Sequence, residues 1–217
     1  MQRELENEKR LAAEAAAQLV SARARVGLGT GSTVAYLLPA LASRGLDLRC
    51  AATSPATEAA ARALGLAVEP LDALAPLDIA IDGADQIAPD GWIVKGGGAA
   101  HTREKIVAAS AERFVVIASS DKLVERLRPP VPLELLEFGI ASTLARLAPA
   151  ELRPAPPSPD GNLIADYVGE LGDPAETAAR FSATPGVVEH GLFPPSLVDD
   201  IVVARGCELH WLKGGSR

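Results

Sequence analysis

Val26-Gly27-Leu28-Gly29-Thr30-Gly31-Ser32-Thr33 carries a short apolar run into a loop where every second residue is glycine. Ser32 to Ser43 follows with apolar residues at helical spacing and reads as a helix. Glycines let such a loop turn tightly. The helix behind it offers unpaired amides and the positive end of its dipole, and Thr30, Ser32 and Thr33 add hydroxyls. Two readings stand side by side: a phosphate or sugar-oxygen site, or a capped helix entered through a tight turn. The loop lacks the Gly-Lys-Ser/Thr ending of a nucleotide P-loop and misses the dinucleotide spacing G-x-G-x-x-G.

Working outward, helices and strands alternate. Glu4 to Val20 and Thr57 to Leu64 read as helices, the second stopped by Gly65. Leu48 to Ala52, Leu77 to Ile81, Trp92 to Val94 and Phe114 to Ala118 read as strands, with a helix from Thr102 to Ala111. Near-continuous apolar strands between helices predict a Rossmann-like, mostly parallel sheet with helices on both faces. The rhythm breaks at Arg128-Pro129-Pro130-Val131-Pro132. Beyond it come Leu133 to Leu136, a helix from Gly139 to Leu147, a Pro-rich stretch from Pro154 to Pro159, and the turn signal Asp160-Gly161-Asn162. A strand at Leu163 to Tyr167, a helix at Pro174 to Ser182 and a strand at Val187 to Leu192 complete a βαββαβ-like order, the signature of a small ferredoxin-like α+β lobe. Strands at Leu197 to Ala204 and Glu208 to Leu212 are expected to return to the first sheet, with Lys213 to Arg217 as a frayed tail. The expected division is a catalytic domain over 1–128, completed by 199–217, and the lobe over 129–198.

Composition narrows the function. The 217 residues are 48% hydrophobic and 23% charged, as in soluble globular proteins, and at 4% aromatic the core must be built from Ala, Val, Leu and Ile. A net charge of −7 disfavours a nucleic-acid partner. No run approaches a membrane span, and Met1 to Arg10 shows no signal-peptide pattern, so a cytoplasmic protein without a membrane partner is expected. Cys50 and Cys207 are expected as reduced thiols, and His101, His190 and His210 show no metal-ligand spacing.

Three further loops carry candidate chemistry. Asp82-Gly83-Ala84-Asp85 follows the strand ending at Ile81, and ligands of open α/β sheets bind at carboxyl ends of strands. Aspartates that merely cap a turn are the competing explanation. Lys95-Gly96-Gly97-Gly98 follows an apolar run and leads to a helix with Glu104 in its first turns. Three glycines in a row make sense where backbone amides must approach an anion, with Lys95 as a point charge and Glu104 as a base. An ordinary loop, and a solvated Glu104 paired with Arg103 or Lys105, are the alternatives. Lys122 follows the strand ending at Ala118 and is a second candidate cation. Placement of all four loops at one end of a parallel sheet is the expectation that binds them together.

These segments together resemble the type A ribose-5-phosphate isomerases. The resemblance rests on Gly-Leu-Gly-Thr-Gly-Ser-Thr at 27–33, Asp-Gly-Ala-Asp at 82–85, Lys-Gly-Gly-Gly-Ala-Ala at 95–100, Arg-Glu-Lys-Ile-Val at 103–107, and Pro-Gly-Val-Val-Glu-His-Gly-Leu-Phe at 185–193. It implies interconversion of ribose 5-phosphate and ribulose 5-phosphate in the pentose phosphate pathway, with no metal or organic cofactor. It also implies Glu104 as the base between C1 and C2, Asp82, Asp85 and Lys95 at the reacting end, and Thr30, Gly31, Ser32, Thr33, Gly83, Ala84, Gly96, Gly97, Gly98 and Lys122 in substrate binding. A homodimer or homotetramer is implied as well. Gln86, His101 and the stretch Val131-Pro132-Leu133-Glu134-Leu135 depart from the family's usual residues. The chemistry fits independently: enediol isomerisation needs a carboxylate base, a donor for the oxygen that becomes negative, and a grip on the distal phosphate. A non-catalytic sugar-phosphate sensor and an amino-sugar-phosphate deaminase are the rival readings.

Overall fold

The structure is a computed structural model that describes residues 2–215. In chain order its elements are α1 (Gln2–Ala17), β1 (Arg25–Leu28), α2 (Val34–Ala42), β2 (Arg49–Ala52), α3 (Pro55–Ala63), β3 (Ala67–Val68), α4 (Leu71–Leu74), β4 (Ile79–Gly83), β5 (Gln86–Ile87), β6 (Ile93–Val94), α5 (His101–Ala109), β7 (Phe114–Ser119), β8 (Val131–Leu135), α6 (Ile140–Leu147), β9 (Ala150–Leu152), β10 (Leu163–Tyr167), α7 (Pro174–Ser182), β11 (Val187–His190), β12 (Leu192–Phe193), β13 (Asp200–Arg205) and β14 (Glu208–Lys213). The chain forms two compact units: Met1–Ala84 with Arg103–Leu123 and Pro195–Arg217, and Asp85–Thr102 with Val124–Pro194.

The first unit is an α/β structure on a seven-stranded sheet of order β14-β13-β7-β4-β1-β2-β3. Its neighbours pair in parallel except β13 with β14. All six residues of β7 are buried, as two covered faces require. Val26, Leu28, Ile79, Ile81, Val115, Ile117, Val202 and Ala204 form one core with Ala12, Ala13, Ala16 and Ala17 of α1 and Leu37, Leu38 and Leu41 of α2. Small residues let α1 lie close to the strands. α3 starts where Ser54 accepts the Thr57 amide at 3.1 Å with Pro55 behind it, and the chain leaves through Gly65 at φ +80°.

The second unit contains β8-α6-β9-β10-α7-β11 as an antiparallel sheet of order β11-β8-β10-β9, the expected ferredoxin-like pattern. Phe181 of α7 packs edge-on against Tyr167 with ring centroids 5.0 Å apart, in a core with Val131, Leu133, Leu135 and Leu147. A separate three-stranded sheet, β12-β6-β5, completes the unit.

Several expectations change. The strand at Trp92 to Val94 joins this small antiparallel sheet and not the parallel one, because Ile93 and Val94 find partners in Gln86–Ile87 and Leu192–Phe193. The run Val187 to Leu192 is broken at Gly191 into β11 and β12, each in a different sheet. Short β3, β5, β9 and α4 had no periodic signal. Lys213 is the last residue of β14, and the amides of Gly214 and Gly215 donate to Asp199 and Pro195 carbonyls at 3.0 Å, so the tail is ordered through 215; Ser216 and Arg217 lie outside the described residues, as does Met1. Among the described residues no helix is long and apolar enough to cross a membrane.

Gly27 sets how near α5 comes to β1. A Cβ there would lie 2.5 Å from Val107 Cγ1 and 2.9 Å from Ala80 Cβ. Gly27→Ala is therefore expected to destabilise the protein by about 1–3 kcal/mol, as overpacking does. The midpoint of denaturant unfolding checks this, and an unchanged midpoint would mean that α5 has room to spare.

Candidate active site

Three of the four candidate segments lie at the carboxyl ends of adjacent parallel strands: Thr30–Thr33 after β1, Asp82–Ala84 at the end of β4, and Ser120–Lys122 after β7. The fourth, Lys95–Gly98, leaves β6 in the second unit, which corrects the expectation of one shared sheet edge. The two aspartates divide in the same way, Asp82 in the first unit and Asp85 in the second.

In the first unit, Asp82 Oδ1 accepts the Thr30 amide at 3.1 Å and its neighbour Gly83's amide at 2.7 Å. A Cβ on Gly29 would stand 2.0 Å from Asp82 Cγ, so only glycine lets the β1 loop pass this buried carboxyl. The Thr30 hydroxyl lies 2.8 Å from that of Thr53, 2.9 Å from Ser54 and 3.2 Å from Thr57, and Thr57 donates to the Gly29 carbonyl at 3.0 Å. Thr30 is thus pinned by three hydroxyls that sequence reasoning missed. Their signal was present: Thr53-Ser54-Pro55 is a helix start directly after a strand, and β2 is the neighbour of β1. Gly31, at φ +127°, and Ser32 are exposed, while Thr33 is buried at the start of α2.

Glu104 sits in the first turn of α5 and is 4% exposed, which rules out the solvated charge pair. Lys122 pairs with Asp121 at 3.1 Å, and Asp121 also accepts the Ser119 hydroxyl at 2.5 Å. Burial pushes the Asp121 carboxyl up, but the Ser119 hydroxyl and Lys122 outweigh it and hold the group below its usual value.

In the second unit the triple glycine is a built loop. Gly96 has φ +105°, and a Cβ on it would meet His101 Nδ1 at 2.7 Å and Pro132 Cβ at 2.9 Å. Asp85 Oδ2 accepts the Gly97 amide at 2.8 Å. Arg153 donates to the Gly96 and Gly97 carbonyls at 3.1 and 3.2 Å while Asp166 grips its guanidinium at 2.8 and 2.5 Å. That pairing raises the Arg153 pKa against the opposing effect of burial. Lys95 is 3% exposed, its amide donates to the Gly191 carbonyl at 2.8 Å, and its Nζ lies 5.6 Å from the centre of the Phe193 ring. Glu134, fully buried, accepts from Ser158 Oγ at 2.6 Å, Asn162 Nδ2 at 2.8 Å and Thr102 Oγ1 at 2.5 Å, two residues before Glu104 on α5. Arg153, Asp166 and the Glu134 network left no motif to recognise, since partners 13 to 57 residues apart meet only on folding. Gln86 both donates to and accepts from the Arg128 backbone at 2.8 Å, a pair of bonds glutamate cannot make. Among the described residues no group of three or more His, Cys, Asp or Glu side chains is placed to hold a metal.

Known proteins share this architecture. The family model described as Ribose 5-phosphate isomerase A (phosphoriboisomerase A) matches residues 49–207. Ribose-5-phosphate isomerase A of Caulobacter sp. (strain K31) is 44% identical over 203 residues, 87% of this chain and 90% of the relative. The crystal structure of ribose 5 phosphate isomerase A from Neisseria gonorrhoeae matches at TM-score 0.93 and 30% identity, covering 98% of each chain. A structure of D-ribose-5-phosphate isomerase in complex with phospho-erythronic acid matches at TM-score 0.89 and 31% identity, covering 96% of this chain and 99% of that one.

Arg153 is expected to hold the triple-glycine loop closed. Charge-assisted hydrogen bonds contribute about 1.5–3 kcal/mol each, so Arg153→Ala should speed exchange of the Gly97 amide by about tenfold or more. Hydrogen exchange read by NMR decides it; wild-type protection in the variant would show that Asp85 alone suffices.

Proposed function

This chain belongs to the ribose 5-phosphate isomerase A family, and we propose that within it Glu104 carries the proton of the reaction. The protein is an isomerase that interconverts ribose 5-phosphate and ribulose 5-phosphate. The observation that carries the assignment of the base is a carboxylate kept at 4% exposure in the first turn of α5, where an unreactive surface residue would face water.

In the aldose-to-ketose direction Glu104 takes the proton from C2, giving an enediolate charged on O1; the O2 hydroxyl proton then passes to O1, and Glu104 returns its own proton to C1. One carboxylate suffices for the carbon-bound proton because it leaves and arrives on adjacent carbons, while the second proton moves between the neighbouring oxygens. Lys95 supplies positive charge to the oxygen that becomes negative, and its burial makes that charge act through a low dielectric. Asp82 and Asp85 hold substrate hydroxyls while their other oxygens keep the Thr30, Gly83 and Gly97 amides in place. The amides of Gly31, Ser32 and Thr33 and the hydroxyls of Ser32 and Thr33, with Lys122, grip the phosphate. Thr30 shapes that loop from its bonds to Asp82 and the Thr53, Ser54 and Thr57 hydroxyls. Gly83, Ala84, Gly96, Gly97 and Gly98 line the substrate-binding loops. No step in this scheme requires a metal or organic cofactor. Assembly as a homodimer or homotetramer in the cytoplasm completes the reading, supported by the large apolar side chains Phe138 and Leu136, 94% and 47% exposed.

Glu104→Gln keeps shape and loses basicity. Turnover is expected to fall by about 10²–10⁴-fold, while calorimetry should still find binding of phospho-erythronic acid, the compound held by the solved relative. Turnover near wild type would remove Glu104 from the role. Exhaustive dialysis against EDTA should leave the rate of ribulose 5-phosphate formation unchanged. Activity abolished by chelation and restored by Mg²⁺ would instead place an ion on the Asp82 or Asp85 carboxylate.

A further inference from the structure

The buried face of α1 consists of Ala12, Ala13, Ala16, Ala17 and one carboxylate, Glu8. Glu8 is 2% exposed. A charge taken out of water is costly unless hydrogen bonds replace its hydration, and an alanine at this position would pack the helix without that cost. Its bonds explain it. Glu8 Oε2 accepts both the amide and the hydroxyl of Ser120, at 2.9 and 2.8 Å, and Oε1 accepts the Gly206 amide at 2.6 Å. Burial pushes the Glu8 carboxyl up, but the Gly206 and Ser120 bonds outweigh it and keep the group ionised below the usual carboxylate range.

Ser120 opens the 3-10 turn Ser120–Lys122, and Lys122 closes it. We infer that Glu8 is a positioning residue for the phosphate end of the substrate: by fixing both donors of Ser120 it sets the turn that aims Lys122. The inference rests on the reading of Lys122 as a phosphate cation. Ser120 itself leaves no donor for a phosphate, since its N–H and O–H are both spent on one oxygen of Glu8. Asp121 restrains Lys122 from its own side at 3.1 Å, so the turn is held at its first residue by α1 and at its last by its neighbour.

The test compares Glu8→Ala, Lys122→Ala and the double variant by steady-state kinetics, with inorganic phosphate as competitive inhibitor. Glu8→Ala should raise KM for ribose 5-phosphate and the inhibition constant of phosphate together, by about tenfold to about a hundredfold, with kcat within about twofold. The double variant should be no worse than Lys122→Ala alone, because a turn without its cation has nothing left to aim. Arg44→Ala, which removes the guanidinium donating to the Ala17 and Val20 carbonyls at the other end of α1, serves as the structural control: it should lower the melting temperature and leave both constants unchanged. If Glu8→Ala does not fold, Glu8→Gln, which loses the charge and one acceptor, carries the same expectation in the same direction. Unchanged constants in the Glu8 variants beside raised constants in Lys122→Ala overturn the inference alone, as do additive factors in the double variant. Unchanged constants in Lys122→Ala overturn the phosphate reading and this inference with it.

Discussion

A carboxyl group and a glycine share one space in this protein. Asp82, next to last in β4, lies so close to β1 that no side-chain carbon fits on Gly29. With the carboxylate there, the Thr30 amide turns inward to meet it, and the hydroxyl of Thr30 is carried toward Thr53, Ser54 and Thr57. The loop after β1 is therefore shaped by an anion inside the protein before any anion arrives from outside. Gly27, two residues earlier, does the same for α5 and so for the helix that bears Glu104. Alternating glycine in 27–31 has two separate causes here: Gly27 and Gly29 yield space, and Gly31 supplies a backbone angle.

The parts of the fold legible in the sequence are those with a repeated local signal. Strands such as Phe114–Ser119 are apolar throughout because both faces are covered, and helices such as Pro174–Ser182 announce their caps, here Asp173 accepting the Ala175 and Glu176 amides. What escaped is short or contextual. Two-residue strands, β3, β5 and β12, have no period to detect. Trp92–Val94 looked like its parallel neighbours, since an apolar run does not say which sheet it joins. Among candidate site residues the motif glycines and acids were visible because each needs its residue type locally. Their supports, Arg153 on the triple-glycine carbonyls and Glu134 on Thr102, were not, because a surface-type residue becomes a structural one only through partners far along the chain.

Three buried acids are each held by several donors. Glu134 accepts from three side chains, Glu8 from two backbone amides and one hydroxyl, and Asp200 is met by Arg113 at 2.6 Å and Lys213 at 2.7 Å. Each of these acids joins segments distant in sequence, which is the use to which a buried carboxylate is best suited, since one group can accept from several directions at once. Glu8 spans 112 and 198 residues in its bonds to Ser120 and Gly206 and thereby ties the first helix to the last hairpin.

The two thiols differ in a way that makes the last hairpin addressable. Cys50 is wholly buried in β2, and burial pushes its pKa up to about 12, so it offers almost no thiolate to an alkylating reagent. Cys207 is exposed in the turn after β13, next to the glycine whose amide Glu8 holds. A maleimide dye added to the native protein therefore labels one site without mutagenesis, and its emission reports the docking of the first helix from the far end of the chain.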